Sequence, residues 1–149
     1  MKKYNIQNYI RYKNDVKACQ PKAKELDQHT QKELIYKFLP LVENIGRKFS
    51  TSQQASGVMS IMDIMQEGNL SLIKAVRRID WDKLDKSDDK EKTLKSFLSK
   101  RIKGGIRRAI DTNRGDMRIP EHKLNEIRRN AKDEKMVAMF FNSMFLSID

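Results

Sequence analysis

Between Ser96 and Arg118 the chain carries seven lysines or arginines against two aspartates. On a helix, at about 100° of rotation per residue, Lys103, Arg107 and Arg114 fall within about 60° on one side of Lys100, and Arg101, Gly104 and Arg108 within about 100° on the other. Phe97 lies in the middle of that arc. Leu98, Ile102, Ile106, Ala109 and Ile110 take the opposite arc, the spacing that a helix resting on a core requires. A solvated charged face is the plainer account of any basic helix. An exposed ring among the cations favours single-stranded nucleic acid, because cations hold the backbone while a base stacked on a ring contributes about 1–3 kcal/mol.

A second face of possible chemistry lies upstream, where Ser60 to Asp80 reads as an amphipathic helix. With Asp63 as zero, Ile61, Ile64, Met65, Gly68, Leu72, Ala75, Val76 and Ile79 share an arc between about 100° and 220°, which is the core side. Gly68 sits inside it, where a missing side chain lets another helix approach. The other face presents Asp63, Gln66, Glu67, Leu70, Lys74 and Arg77. A leucine among acids and amides is a feature of protein interfaces, although single exposed leucines are common.

Few breakers interrupt the chain: three prolines and six glycines in 149 residues, with no useful alternation of β-branched and polar residues. The fold class expected is all-α, a compact helical bundle. Tyr4 to Ala18 reads as a docking helix or a loosely held arm. Thr30 opens a clearer helix with Glu33 in capping-box position, and its stripe Leu34, Ile35, Phe38, Leu41, Val42, Ile45, Phe49 continues past Pro40, where a kink is expected. Trp81 to Lys92 is rich in Asp, Lys and Ser and reads as a mobile solvated insertion, with Trp81 packing back on the helix end. Pro120 suits the first turn of a further helix. After Met136 an apolar stripe through Phe140, Phe141 and Phe145 is expected to fold back onto the domain, with a partner-binding segment or a truncated longer protein as the alternative.

Charge and composition narrow the function classes. The 31 Lys and Arg against 20 Asp and Glu leave a formal charge of +11, which makes phosphate polymers the natural partners. No stretch approaches the roughly 18 apolar residues of a membrane span, and the N-terminus lacks a secretory core. A cytoplasmic protein is expected. One cysteine, Cys19, excludes an internal disulfide, and a buried or incidental thiol is the expectation for it. His29 and His122 show no ligand or catalytic spacing, so neither metal, cofactor nor enzymatic chemistry is expected.

LIYKFLPLVENIGRKF (34–49), MDIMQEGNLSLIKAVRRI (62–79) and LKSFLSKRIKGGIRRAIDTNRGDMRIPE (94–121) together resemble the second region of bacterial RNA polymerase sigma factors and the start of the third. The run Asp63-Ile64-Met65-Gln66-Glu67-Gly68-Asn69 is the most specific part, and Arg118-Ile119-Pro120 follows at the expected distance. The resemblance implies that Asp63, Gln66, Glu67, Asn69, Leu70 and Ile73 dock on the clamp helices of the largest subunit of core RNA polymerase. It implies that Ser96, Phe97, Lys100, Arg101, Lys103, Gly104, Arg107, Arg108, Arg118 and His122 bind promoter DNA, above all the non-template strand of a minus-ten-like element. Phe97 takes the place of the aromatic that backs a flipped adenine.

The departures are equally definite. Lys100 and Arg101 stand where housekeeping members have a tryptophan wedge, Gly104 and Arg107 replace the glutamine and threonine that read the upstream edge, and Asn125 replaces an acid used on an extended element. No helix-turn-helix for a minus-thirty-five element is expected from the residues after Pro120. In this the chain resembles minimal sigma factors of phage late transcription, which implies a sliding clamp or co-activator as partner, with Phe140, Phe141 and Phe145 as the contact. The expected division is a basic segment 1–29, a region-2-like domain 30–118 containing the insertion 81–92, and a region-3-like helix with C-terminal segment 119–149. Two other classes stay open: a polymerase-binding decoy of the anti-sigma kind, and a general single-strand-binding module.

Overall fold

Four of the helices begin at short polar side chains, Thr30, Ser60, Asp80 and Asp89. Ser60 Oγ accepts the Asp63 N–H at 3.2 Å while the Asp63 carboxylate accepts the Ser60 N–H at 2.9 Å, a reciprocal cap that uses two otherwise orphaned donors. Thr30 Oγ1 accepts the Glu33 N–H. The Glu33 carboxylate, expected to complete a box there, turns instead to Nδ1 of the buried His29 at 3.1 Å and to Lys24 at 3.6 Å. That hydrogen bond from His29 is the main reason the Glu33 carboxyl titrates below its ordinary range. Asp80 and Asp89 cap the next two helices by accepting the N–H groups of Lys83 and Lys92.

The computed structural model describes residues 6–50, 59–113, 119–135 and 137–138. Among them the chain forms helices α1 (Ile6–Ala18), α2 (Gln31–Ser50), α3 (Ile61–Val76), α4 (Trp81–Asp85), α5 (Lys90–Asn113) and α6 (Glu121–Arg129), with a 3-10 turn at Leu26–Gln28 and no strand. The all-α class holds. Arg118 and the Phe140, Phe141 and Phe145 segment lie outside the described residues.

Three helices make the core. Leu34, Phe38, Val42 and Ile45 of α2 meet Ile64, Leu72, Ala75 and Val76 of α3, which in turn meet Leu94, Leu98, Ile102, Ile106 and Ile110 of α5. α2 is helical on both sides of Pro40 although proline supplies no N–H to the ladder. The expected insertion 81–92 is corrected: α4 occupies its first part, Leu84 is buried in the core, and α5 already begins at Lys90. One leucine and two aspartate caps suffice to order a segment whose composition is otherwise that of a solvated loop. Trp81, expected against a helix end, stays 36% exposed. Cys19 is exposed, which leaves the incidental reading of that thiol.

α1 is held to the bundle by more than the buried Val16. Tyr9 donates its hydroxyl to Glu43 at 2.7 Å, Lys13 lies 3.5 Å from the same carboxylate, and Tyr12 exchanges hydrogen bonds with Asn69 of α3. Burial first, then the bond to Glu43, pushes the Tyr9 phenol up to about 12 from an ordinary 10.0. A raised folded-state value means the contribution is complete below pH 10 and is lost as pH rises through about 12. The phenolate absorbance of the native protein should therefore contain a component near pH 12 that Tyr9→Phe removes; the same curve for both proteins would rule out the Glu43 contact.

Gly68 is where α3 comes closest to its neighbours. A Cβ there would stand 2.6 Å from Val42 Cγ1 and 3.3 Å from Ile106 Cδ1, so either α2 or α5 would have to shift. Overpacking of this kind costs about 1–3 kcal/mol, against which alanine recovers up to about 1 kcal/mol of helix propensity. Gly68→Ala should lower unfolding stability by about 1–2 kcal/mol, whereas Gly104→Ala, with nothing within 4 Å of its Cβ position, should raise it. Denaturant midpoints at constant m-value decide this.

Candidate nucleic-acid interface and docking face

α5 turns its stripe Leu94, Leu98, Ile102, Ile106, Ala109 and Ile110 inward and leaves Ser96, Lys100, Arg101, Lys103, Arg107 and Arg108 exposed. Gly104 is partly covered, with open space where a side chain would be. The helix thus assembles the expected basic face, apart from one feature. Phe97 is not a free ring: it is half-buried and packs against the core. It lies only about 60° around the helix from Leu94, close enough for one edge of the ring to share that buried stripe.

Its other side is also occupied. The Arg101 guanidinium lies over the Phe97 ring, 5.4 Å from its centroid, and Arg107 lies 6.0 Å from the ring of Phe49 at the end of α2. Each such contact at an exposed site is worth about 0.5–1 kcal/mol, and it fixes where the charge sits. Phe49 was visible in the sequence only as a core position. Arg108 lies 3.7 Å from Glu121 across the α5–α6 junction, a solvent-screened pair, and Arg128 reaches Asp111 at 2.6 Å to tie α6 down. His122 is exposed in the first turn of α6.

On α3, Asp63, Gln66 and Leu70 are exposed, with Leu70 at 46%, while Glu67 and Ile73 are partly covered. Three of the six expected docking residues are therefore fully open on one strip, with Glu67 and Ile73 at its edges. Asn69 is not among them: its side-chain oxygen and nitrogen are both taken up with the Tyr12 hydroxyl, 3.4 and 3.0 Å away. Sequence periodicity placed Asn69 at the margin of the face and gave no sign that a helix nearly sixty residues away would cover it. Asp63 has a second employment in the Ser60 cap.

Between the two faces runs an open groove of about 400 Å³, with α3 as one wall and α5 as the other. Lys74 and Arg78 line it from α3, Arg101 and Arg108 from α5. Neither Lys74 nor Arg78 is ion-paired among the described residues. Arg78 was not among the residues picked out by sequence, because on one helix alone nothing marks it out from Arg77. Among the described residues no group of three His, Cys, Asp or Glu could hold a metal ion, and no helix is long and apolar enough to cross a membrane.

This arrangement meets an independent likeness. Over 103 residues, 69% of the chain, the sequence is 31% identical to RNA polymerase sigma factor SigA of Mycoplasma genitalium. It is 31% identical, again over 103 residues, to the SigA of Mycoplasma pneumoniae. No protein-family model matches the chain. The matched stretch is 18% of either relative, so the chain spans less than a fifth of the length of the curated proteins it resembles. Within those bounds the chain contains a sigma-factor-like helical region.

The two employments of Asp63 can be separated. Asp63→Ala should cost about 1 kcal/mol of stability through loss of the cap, while Gln66→Ala, exposed and outside the cap, should leave the unfolding midpoint within error. Equal midpoints for the two variants would mean that the capping box does not form in solution.

Proposed function

We propose that this protein is a transcription initiation factor of the sigma type. The α3 strip from Asp63 through Leu70 docks on core RNA polymerase, and the basic face of α5 captures an opened AT-rich promoter strand. The observation that carries the reading is the pairing of an acid-amide face and a basic-aromatic face on two helices locked side by side, in a stretch similar to SigA. The reaction itself belongs to the polymerase. The factor contributes binding and strand selection.

Strand opening on this reading relies on charge more than on a wedge. Lys100 and Arg101 replace bulky rings, and Phe97 offers a ring already backed by the core and covered by Arg101. A base that stacks there displaces or shares the guanidinium, so its gain falls toward the low end of the usual 1–3 kcal/mol for base–aromatic stacking. The strings KSFLSKRIKGGIRRAI and RIPEHKLNEIRRN support the narrower reading of a minimal factor of the phage late-transcription kind.

The test is reconstitution of core polymerase with the full chain on AT-rich promoters, scored by transcript and by permanganate reactivity of promoter thymines. Specific transcripts with strand opening are expected. Gln66→Ala with Glu67→Ala should weaken polymerase binding at least tenfold, and Phe97→Ala should cost about 1 kcal/mol of single-strand affinity without altering polymerase binding. Core binding with closed promoters would identify a decoy instead. Salt-sensitive binding to random oligonucleotides with no polymerase binding would identify a general single-strand module.

A further inference from the structure

From the groove between α3 and α5 we infer a second, sequence-independent DNA contact: a seat for the sugar-phosphate backbone of duplex DNA, formed by Lys74 and Arg78 together with Arg101 and Arg108. The inference rests on the DNA-binding reading for the identity of the polymer, and it adds to that reading two residues from the helix otherwise given to protein docking.

The argument begins with charge. Four cations line one open groove of about 400 Å³ with a single carboxylate, Glu67, among them. Lys74 and Arg78 have no ion-pair partner among the described residues, and Arg108 has only the distant, exposed Glu121 at 3.7 Å. Like charges gathered this way repel unless an anion joins them. Their placement follows from the helices: residues 67, 70, 71, 74, 75 and 78 are spaced to face α5, and Arg101, Gly105, Arg108 and Thr112 to face α3.

The shape of the groove selects the occupant. Its base is small, with Ala75, Ala109 and Ser71 beside Gly105, where a Cβ would run into the Ser71 hydroxyl. Such a base lets a backbone lie close. No aromatic residue lines it, so an unstacked base finds no ring there, and contacts to phosphate alone carry no sequence information. Guanidinium groups on both walls suit bidentate phosphate contacts. Exposed Lys100, Lys103 and Arg107 lie farther around α5, on the side turned away from the groove, so the groove cations form a cluster of their own.

The experiment measures binding of the full chain to a short labelled DNA duplex, and to one strand of it, across a salt series. Lys74→Gln with Arg78→Gln should lower the salt slope on duplex by about 1.8, which is about 60-fold in affinity per decade of salt below the point where the curves converge. The exposed pair Lys17→Gln with Lys22→Gln, outside the groove, should change the slope little, and thermal midpoints should stay equal. Arg78→Lys alone should keep the slope. The seat is overturned if the groove pair matches the control pair, if the loss is confined to the single strand, or if polymerase binding falls while duplex binding stands. Lys100→Gln with Lys103→Gln separates the two levels. If that pair weakens DNA binding and the groove pair does not, the seat alone is wrong; if neither does, the DNA reading fails with it.

Discussion

The close approach of α3 to both its neighbours is the constraint from which the rest follows. Gly68 lets Val42 and Ile106 reach the α3 backbone, and Gly105 lets Ser71 reach that of α5. With α3 held between α2 and α5 at these points, the apolar stripes of all three helices close on one core. The directions of the remaining faces are then no longer free. Asp63, Gln66 and Leu70 must face out on one side, the α5 cations must face out beside them, and the line where the two helices meet must be a groove. A larger residue at position 68 or 105 would separate the helices and dissolve the spatial relation between the faces, whatever their own side chains.

Much of this was legible in sequence for a simple reason. Helical periodicity reports which residues share an arc, so the buried stripes of α2, α3 and α5 and the exposed cations of α5 were assigned from spacing alone. What periodicity cannot report is where a second helix lies. Asn69 looked available until Tyr12 of α1 was seen to bond both ends of its amide, and Arg78 looked ordinary until α5 set Arg101 and Arg108 opposite it. Phe97 is the intermediate case: its arc was right, but its distance from Leu94 around the helix put one edge of the ring within reach of the core. The stretch after Arg78 was misjudged because composition averages over residues, and a single buried leucine, Leu84, outweighs its charged neighbours.

The placement of charge matters as much as its amount. A formal +11 would attract any polyanion, yet the structure spends several cations internally: Lys13 on Glu43, Lys24 on Glu33, Lys90 on Asp85, Arg128 on Asp111. Among the described residues, no carboxylate lies within ion-pair distance of Lys100, Arg101, Lys103 or Arg107 on α5, or of Lys74 or Arg78 on the α3 side of the groove. The acidic and amide groups of the α3 strip border this field, and Glu67 and Leu70 belong to both, lining the groove as well as the strip.

Arg101 joins the two DNA contacts proposed for α5. It lines the groove and also lies over Phe97. A guanidinium can serve both, because its flat face stacks on a ring while its edge N–H groups point outward to an oxyanion. A phosphate seated in the groove would hold that edge and keep the flat face over the ring, whereas a base stacking on Phe97 must take the place of that face. Backbone binding in the groove and base capture at the ring are therefore coupled through one side chain, and tight backbone binding opposes capture unless Arg101 turns to follow the strand. A tryptophan at this position would have no such conflict. On the function proposed, the guanidinium in place of a ring favours holding a backbone over forcing bases apart.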